Sequence, residues 1–285
     1  MITSSLGLLH MRRIASILFC VLTCLFAPPR FALKAQAPAS TAETRIIAGR
    51  IADRVLNGKP GPAPHLSGGK PDLGNGGGSW NPRIIENIAG VGPGAAERNA
   101  VEKIIDVPFQ PWARKLYDQR LADLQKDDPE ARCLPPGIPR LYQTPFPFQI
   151  FQLTDRVLFV FEGGAHSWRT VFTDGRAHLK DPNPSYLGDS IGRWEGDTLV
   201  VDTIGFNDRT WLDQDGHPHT EALHTVERFN RPDQETLHYQ VTIEDPGAYT
   251  KSWTTSYTIP WAPGQEPMEY VCQEDNVDLP HLVGK

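Results

Sequence analysis

The chain runs to 285 residues, 39% hydrophobic and 22% charged, and Gly and Pro together supply 51 of them. That balance excludes coiled coil, collagen and wholesale disorder. Arg12, Arg13, Arg30 and Lys34 stand before residue 36 with no acid. The remainder carries 24 Lys plus Arg against 34 Asp plus Glu, a net charge of −10 that argues against nucleic acid as a partner.

In chain order, Arg12-Arg13 is followed by an apolar run from Ile14 to Ala27 and a tail ending Leu33-Lys34-Ala35. A charged start, an apolar centre and a small-residue end read as a secretory signal over residues 1–35. The run is shorter than the roughly 20 residues a membrane-spanning helix needs, and no later stretch reaches that length. The expected product is a secreted or periplasmic chain with no membrane insertion once the signal is removed. Cys20 and Cys24 leave with the signal, so Cys133 and Cys272 face an oxidising compartment alone and are expected to pair.

Residues 36–110 form a Gly/Pro-rich arm. Between Gly58 and Gly94 lie 11 Gly and 6 Pro, too many for a long regular element, and Trp80 is the bulky side chain able to pin the arm to the body. Residues 111–285 form the main domain. It opens with a helix predicted over 111–127, Pro111 in its first turn and Trp112, Leu116, Leu121 and Leu124 as its apolar stripe. Asp128-Pro129 ends it, because the residue before a proline is pushed out of the helical region.

After Cys133 the pattern is short strands between turn signals, at 146–153, 157–162, 166–173, 190–194, 198–203, 223–229, 237–243, 252–259 and 268–272. The run 237–243 alternates strictly, apolar at odd positions and polar at even ones. Turns at Thr173-Asp174-Gly175 and at Trp194-Glu195-Gly196-Asp197 suit hairpins. No helical pattern separates the strands, so parallel crossovers are not expected. Sequential antiparallel strands must close or stack to hide their edges. The expectation is a mainly β fold, an antiparallel up-and-down, lipocalin-like barrel with one helix; a two-sheet sandwich is the alternative.

Three features carry a resemblance: Gly192-Arg193-Trp194-Glu195-Gly196-Asp197-Thr198-Leu199-Val200-Val201-Asp202, then Gly205-Phe206-Asn207-Asp208 with Trp211-Leu212-Asp213, then Gly216-His217-Pro218-His219. With Asp128-Pro129-Glu130-Ala131-Arg132-Cys133-Leu134-Pro135-Pro136-Gly137 upstream, the chain resembles a family of exported, uncharacterised bacterial proteins over most of residues 110 to 275. The resemblance implies export and a β-rich body.

The connection from Gly205 to Glu221 is far longer than a hairpin needs, and loops of that length at a barrel rim often hold sites. It supplies the candidate acid–base set. His219 or His166 would act as base or acid, Asp208 or Asp213 would orient it, and Asn207 would support a developing oxyanion. Trp211, Phe206, Glu221, His217 and His224 are the candidate ligand contacts. Asp213-Gln214-Asp215-Gly216 is equally an Asx-turn signature with solvated histidines nearby. Zinc is the metal that His217, His219 and His224 suggest, but His219 and His224 miss the helical two-histidine spacing by one residue, so no metal ligands are assigned and no cofactor is expected. Ser190 sits in Gly-Asp-Ser-Ile-Gly, yet a strand follows where a nucleophile elbow needs a helix. The expected function is cofactor-independent lyase, isomerase or hydratase chemistry on an aromatic or polyhydroxylated small molecule in the barrel cavity. The alternative is a barrel that binds such a ligand without turnover.

Overall fold

The computed structural model describes residues 59–91, 101–274 and the single positions Asn276, Pro280 and Gly284, all within the compact unit Ile46–Lys285. The expected signal at 1–35 and part of the arm lie outside the described residues. Nine strands follow in chain order: β1 (Gly78–Trp80), β2 (Phe148–Gln152), β3 (Arg156–Phe161), β4 (Trp168–Phe172), β5 (Asp189–Glu195), β6 (Thr198–Ile204), β7 (His224–Asn230), β8 (Thr236–Glu244) and β9 (Trp253–Pro263). Each pairs with the next, and β1 also pairs with β9, so one mostly antiparallel sheet closes on itself as a ring.

Alternating strands place their apolar side chains inside. On β8, Leu237, Tyr239, Val241 and Ile243 are buried, and Thr236, His238, Gln240 and Thr242 are partly exposed between them. The turn at Trp194–Asp197 makes the expected hairpin, with Glu195 opposite Thr198. The turn at Thr173–Gly175 does not. Residues 173–188 carry the chain back so that β5 runs parallel to β4, with only Val171 opposite Ser190 and Phe172 opposite Ile191. A parallel pair needs such a crossover, and the strict up-and-down order is broken at this joint. The run 268–272 makes no strand; the Met268 N–H donates to Glu162 Oε2 at 2.7 Å and Cys272 is bridged to Cys133.

β1 has no strand signature, because Gly-Gly-Gly precedes its only bulky residue. Pairing explains the glycine. At Gly78 the backbone φ is +155°, and a Cβ there would stand 2.4 Å from the Ala262 carbonyl oxygen. Trp80 is fully buried, stands opposite Phe148 and Trp261, and donates its indole N–H to the Leu73 carbonyl at 2.8 Å. The arm thus contributes both the strand that completes the ring and an aromatic anchor, with the Arg231 guanidinium 5.0 Å from the Trp80 ring.

Helix α1 (Pro111–Ala122) begins at the expected proline but stops earlier than predicted, since Leu124 and Gln125 have φ of 54° and 53°, outside helical space. Its buried residues are Ala113 and Tyr117, while Trp112 and Leu124 of the expected stripe are 45% and 55% exposed. The helix packs through one narrow face on the 205–221 connection, which offers aromatic partners there. A second, four-residue helix α2 (Gly163–His166) links β3 to β4.

The ring interior is filled. From the short 3₁₀ turn Arg140–Tyr142, the Tyr142 ring meets Phe148, Phe159, Phe161, Phe229 and Tyr239 at centroid separations of 4.9 to 5.9 Å. Beside it a fully buried Arg169 forms a two-pronged ion pair with Glu227 and donates to Tyr142 at 3.0 Å, Ser190 at 3.1 Å and Thr203 at 2.7 Å. The Tyr239 hydroxyl completes the set at 3.0 Å from Glu227. Ser190 is therefore a strand hydroxyl committed to this network.

Candidate functional site

The 205–221 connection is ordered by its own side chains. Asp213, fully buried, accepts the N–H groups of Gly216 and His217 on Oδ1 at 2.9 and 3.0 Å, which is the Asx turn its sequence allows. Gly216 turns the chain with φ +92°, and a Cβ on it would meet Arg120 Cδ at 2.7 Å. Asp213 Oδ2 accepts the Ile88 N–H at 2.8 Å and faces His217 Nδ1 at 2.6 Å. Burial alone would raise the Asp213 carboxyl; His217 and these donors outweigh it and hold it below the usual carboxylate range. The His217 ring lies between Phe109, stacked at 5.3 Å, and Tyr117 at 4.4 Å. A histidine–aspartate pair of the anticipated kind exists, but it is His217 with Asp213, and their side chains are 1% and 0% exposed. No substrate atom reaches it in this conformation.

His219 is engaged elsewhere. Its Nδ1 faces the Thr220 carbonyl at 3.1 Å and its Nε2 faces Thr210 Oγ1 at 2.7 Å. A carbonyl only accepts, so Nδ1 carries the proton and Nε2 accepts from the threonine. Burial depresses the imidazole, in keeping with that neutral form. Asn207 accepts the Arg209 N–H within its own turn at 3.1 Å, and Asp208 is exposed. His166 lies at the end of α2, and its side chain is outside the described residues. The structure therefore joins Asp213 to His217; Asp208 acts on His219 through its charge without a hydrogen bond, and Asn207 is engaged within its own turn.

Of the expected ligand contacts, Phe206 is core at 1% exposure and Glu221 is exposed. Trp211 borders a small pocket of about 220 Å³, with the Arg120 guanidinium 4.3 Å from its ring. Burial pulls Arg120 down to about 10. His224 belongs to an outer-face chain of alternating carboxylates and imidazoles. His178 spans Asp189 and Asp202, each at 2.9 Å, and His224 spans Asp202 at 3.0 Å and Glu244 at 3.2 Å. His217, His219 and His224 thus sit in three environments, and among the described residues no three His, Cys, Asp or Glu side chains converge on a metal position.

A larger concavity lies elsewhere, outside the ring interior. A cleft of about 760 Å³ opens between the 128–146 segment and the chain that follows β9, and Gln214 is its contribution from the long connection. At one wall the buried Arg140 grips Asp128 with two hydrogen bonds of 2.8 and 2.6 Å and reaches Glu130 Oε2 at 2.8 Å. Burial, joined by the charge of Asp128, raises the Glu130 carboxyl against the pull of Arg140. On the other wall the Tyr270 ring rests on Phe146 at 4.6 Å. That wall is tied down by the Cys133–Cys272 disulfide and by Asn276, whose amide donates to the Ala131 carbonyl at 2.8 Å. In the sequence, Asp128 to Gly137 supplies a helix stop, a bridging cysteine and part of the resemblance, and none of these marks a cleft wall. Asp128 and Glu130, a few residues before a bridging cysteine, were the signal, and the partner wall lies near Cys272, 139 positions beyond Cys133, where only folding brings it into place.

Comparison of the chain with protein-family models, with curated proteins and with solved structures found no match.

Proposed function

We propose that this protein is an exported small-ligand-binding protein, a lipocalin-like barrel whose ligand occupies the cleft and not the ring interior. The cleft carries the reading. Its volume of about 760 Å³ falls in the range of small-molecule sites, and it combines aromatic and aliphatic walls with a few fixed charged groups. The ring interior is taken by Tyr142, Arg169, Glu227 and Tyr239, each at most 2% exposed, so a ligand there would have to displace a satisfied polar network. The Cys133–Cys272 disulfide supports export.

Acid–base turnover takes second place because His219 spends both ring nitrogens on Thr210 and Thr220, and the Asp213–His217 pair is sealed. The test is ligand-observed NMR with a mixed set of amines, sugars, phenols and carboxylates against wild type and Ile84→Trp. Ile84 is 45% exposed and borders the cleft, so the larger side chain obstructs it without entering the core. Hits that vanish in the variant are expected; hits that persist unchanged would place the ligand elsewhere and overturn the proposal.

A further inference from the structure

We infer that the cleft selects a small organic cation, an ammonium group on an apolar body. The inference rests on the reading of the cleft as the ligand site and adds the charge and donor pattern of its occupant. Asp128, Glu130, Glu269 and Glu274 line the cleft against a single cation, Arg140, so its described walls carry three net negative charges.

Arg140 offers nothing to an anion. Its side chain is 5% exposed and both terminal nitrogens are already bound to Asp128 and Glu130. Three further wall donors are committed in the same way: the Asn276 amide to Ala131 and Cys133, the Thr144 hydroxyl to Leu141, the Gln143 amide N–H to Leu212. Acceptors are in surplus. Gln143 also borders the cleft and is 2% exposed, and its Oε1 has no hydrogen-bond partner. On the core side the Gln143 side chain also interacts with the Tyr257 hydroxyl, without a hydrogen bond of good geometry. A buried acceptor left unmatched is unfavourable, and a ligand that donates N–H groups relieves it.

Glu130, 23% exposed, and the rim carboxylates Glu269 and Glu274, both exposed, give that donor a negative field; Phe146 and Tyr270 give its body an apolar wall. Carboxylates at a low-dielectric wall attract a cation more strongly than the same groups in open water.

The test compares 2-phenylethylammonium with its near-isosteres 2-phenylethanol and 3-phenylpropanoate by titration calorimetry, with amide chemical shifts to locate binding. The ammonium should bind at least about tenfold more tightly than the alcohol, lose affinity as salt rises, and exceed the carboxylate by more. Glu269→Gln with Glu274→Gln, both on the rim and remote from the core, should weaken the ammonium roughly threefold to tenfold and leave the alcohol unchanged. If the alcohol or the carboxylate binds the cleft as well as the ammonium, or if the rim variant leaves ammonium affinity unaltered, the charge inference fails and the cleft remains a ligand site. If none of the three shifts amides of 128–146 or 269–276, both readings fall.

Discussion

Asp213 shows how a residue chosen for chemistry can be a structural keystone. It joins the arm through Ile88, the long connection through Gly216 and His217, and α1 through the His217 ring packed on Tyr117. Asp213→Asn should lower unfolding stability by about 3 kcal/mol in urea denaturation, since the buried donors of Ile88, Gly216 and His217 lose the carboxylate they converge on. Its neighbour has the opposite sign. Burial, and then the charge of Asp213 against the help of Asn87, raise the Asp215 carboxyl to about 6 from 3.8. Both states are protonated below pH 3.8. Between there and about pH 6 the unfolded chain is charged while the folded one still holds its proton, so stability falls as pH rises, and above pH 6 the penalty is complete. Asp215→Asn should therefore stabilise the protein by roughly 1 to 3 kcal/mol at pH 7.5, and the gain should disappear near pH 3.5. A gain independent of pH would refute the assignment. Arg169 and Glu227 are a third case, an ion pair enclosed by hydroxyls within the ring. Such a pair strands one charge when the other is deleted, and Arg169→Met alone should destabilise by about 3 to 5 kcal/mol.

Among the elements, β1 and α1 departed most from their sequence patterns. A strand of Gly78, Ser79 and Trp80 has almost no β propensity, and it forms because β2 and β9 leave a gap that only a residue without a Cβ can enter beside Ala262. Gly78→Ala should thus cost more than the same change at Gly68, where a Cβ would meet nothing within 4 Å. Thermal melts of the two variants compare them directly, and equal midpoints would show that β1 does not close the ring. In α1, periodicity identified a helix but selected the wrong face. Trp112 covers Gly247 with an indole hydrogen bond of 2.8 Å from an exposed position, and Tyr117 is buried against Phe109 and His217. Tyr117→Ala should destabilise by about 3 kcal/mol or more, and Trp112→Ala by far less. The strands of the alternating runs were legible to within a residue or two, apart from β9, which runs on to Pro263; β8 was the clearest, because the period of two shows wherever one face is wet and the other buried.

For the molecule as a whole, the disulfide spans 139 positions and ties the start of the strand-rich region to the segment beyond β9. Chain-entropy reasoning gives it roughly 5 kcal/mol against the reduced unfolded chain. A thiol count under denaturing, non-reducing conditions should find Cys133 and Cys272 oxidised, and reduction should loosen the 269–276 wall before the ring, visible as faster amide exchange in that segment than in β7 and β8. Closure of the ring was foreseeable from the need to hide strand edges. The parallel joint at β4 and β5 was not, since a turn signal at 173–175 reports a local bend and not where the next strand will lie.

Alternation, turn residues and the two late cysteines were enough to establish a β-rich body with one bridge, because period, backbone preference and cysteine pairing are local or combinatorial properties of the chain. Which histidine meets which aspartate, which face of α1 is buried, how a glycine run becomes a strand, and where a cleft opens all depend on contacts between segments far apart in sequence. Asp213 turned to His217 and not to His219 because the adjoining aromatic rings of Phe109 and Tyr117 come from the arm and the helix. No spacing within the 205–221 connection encodes their arrival.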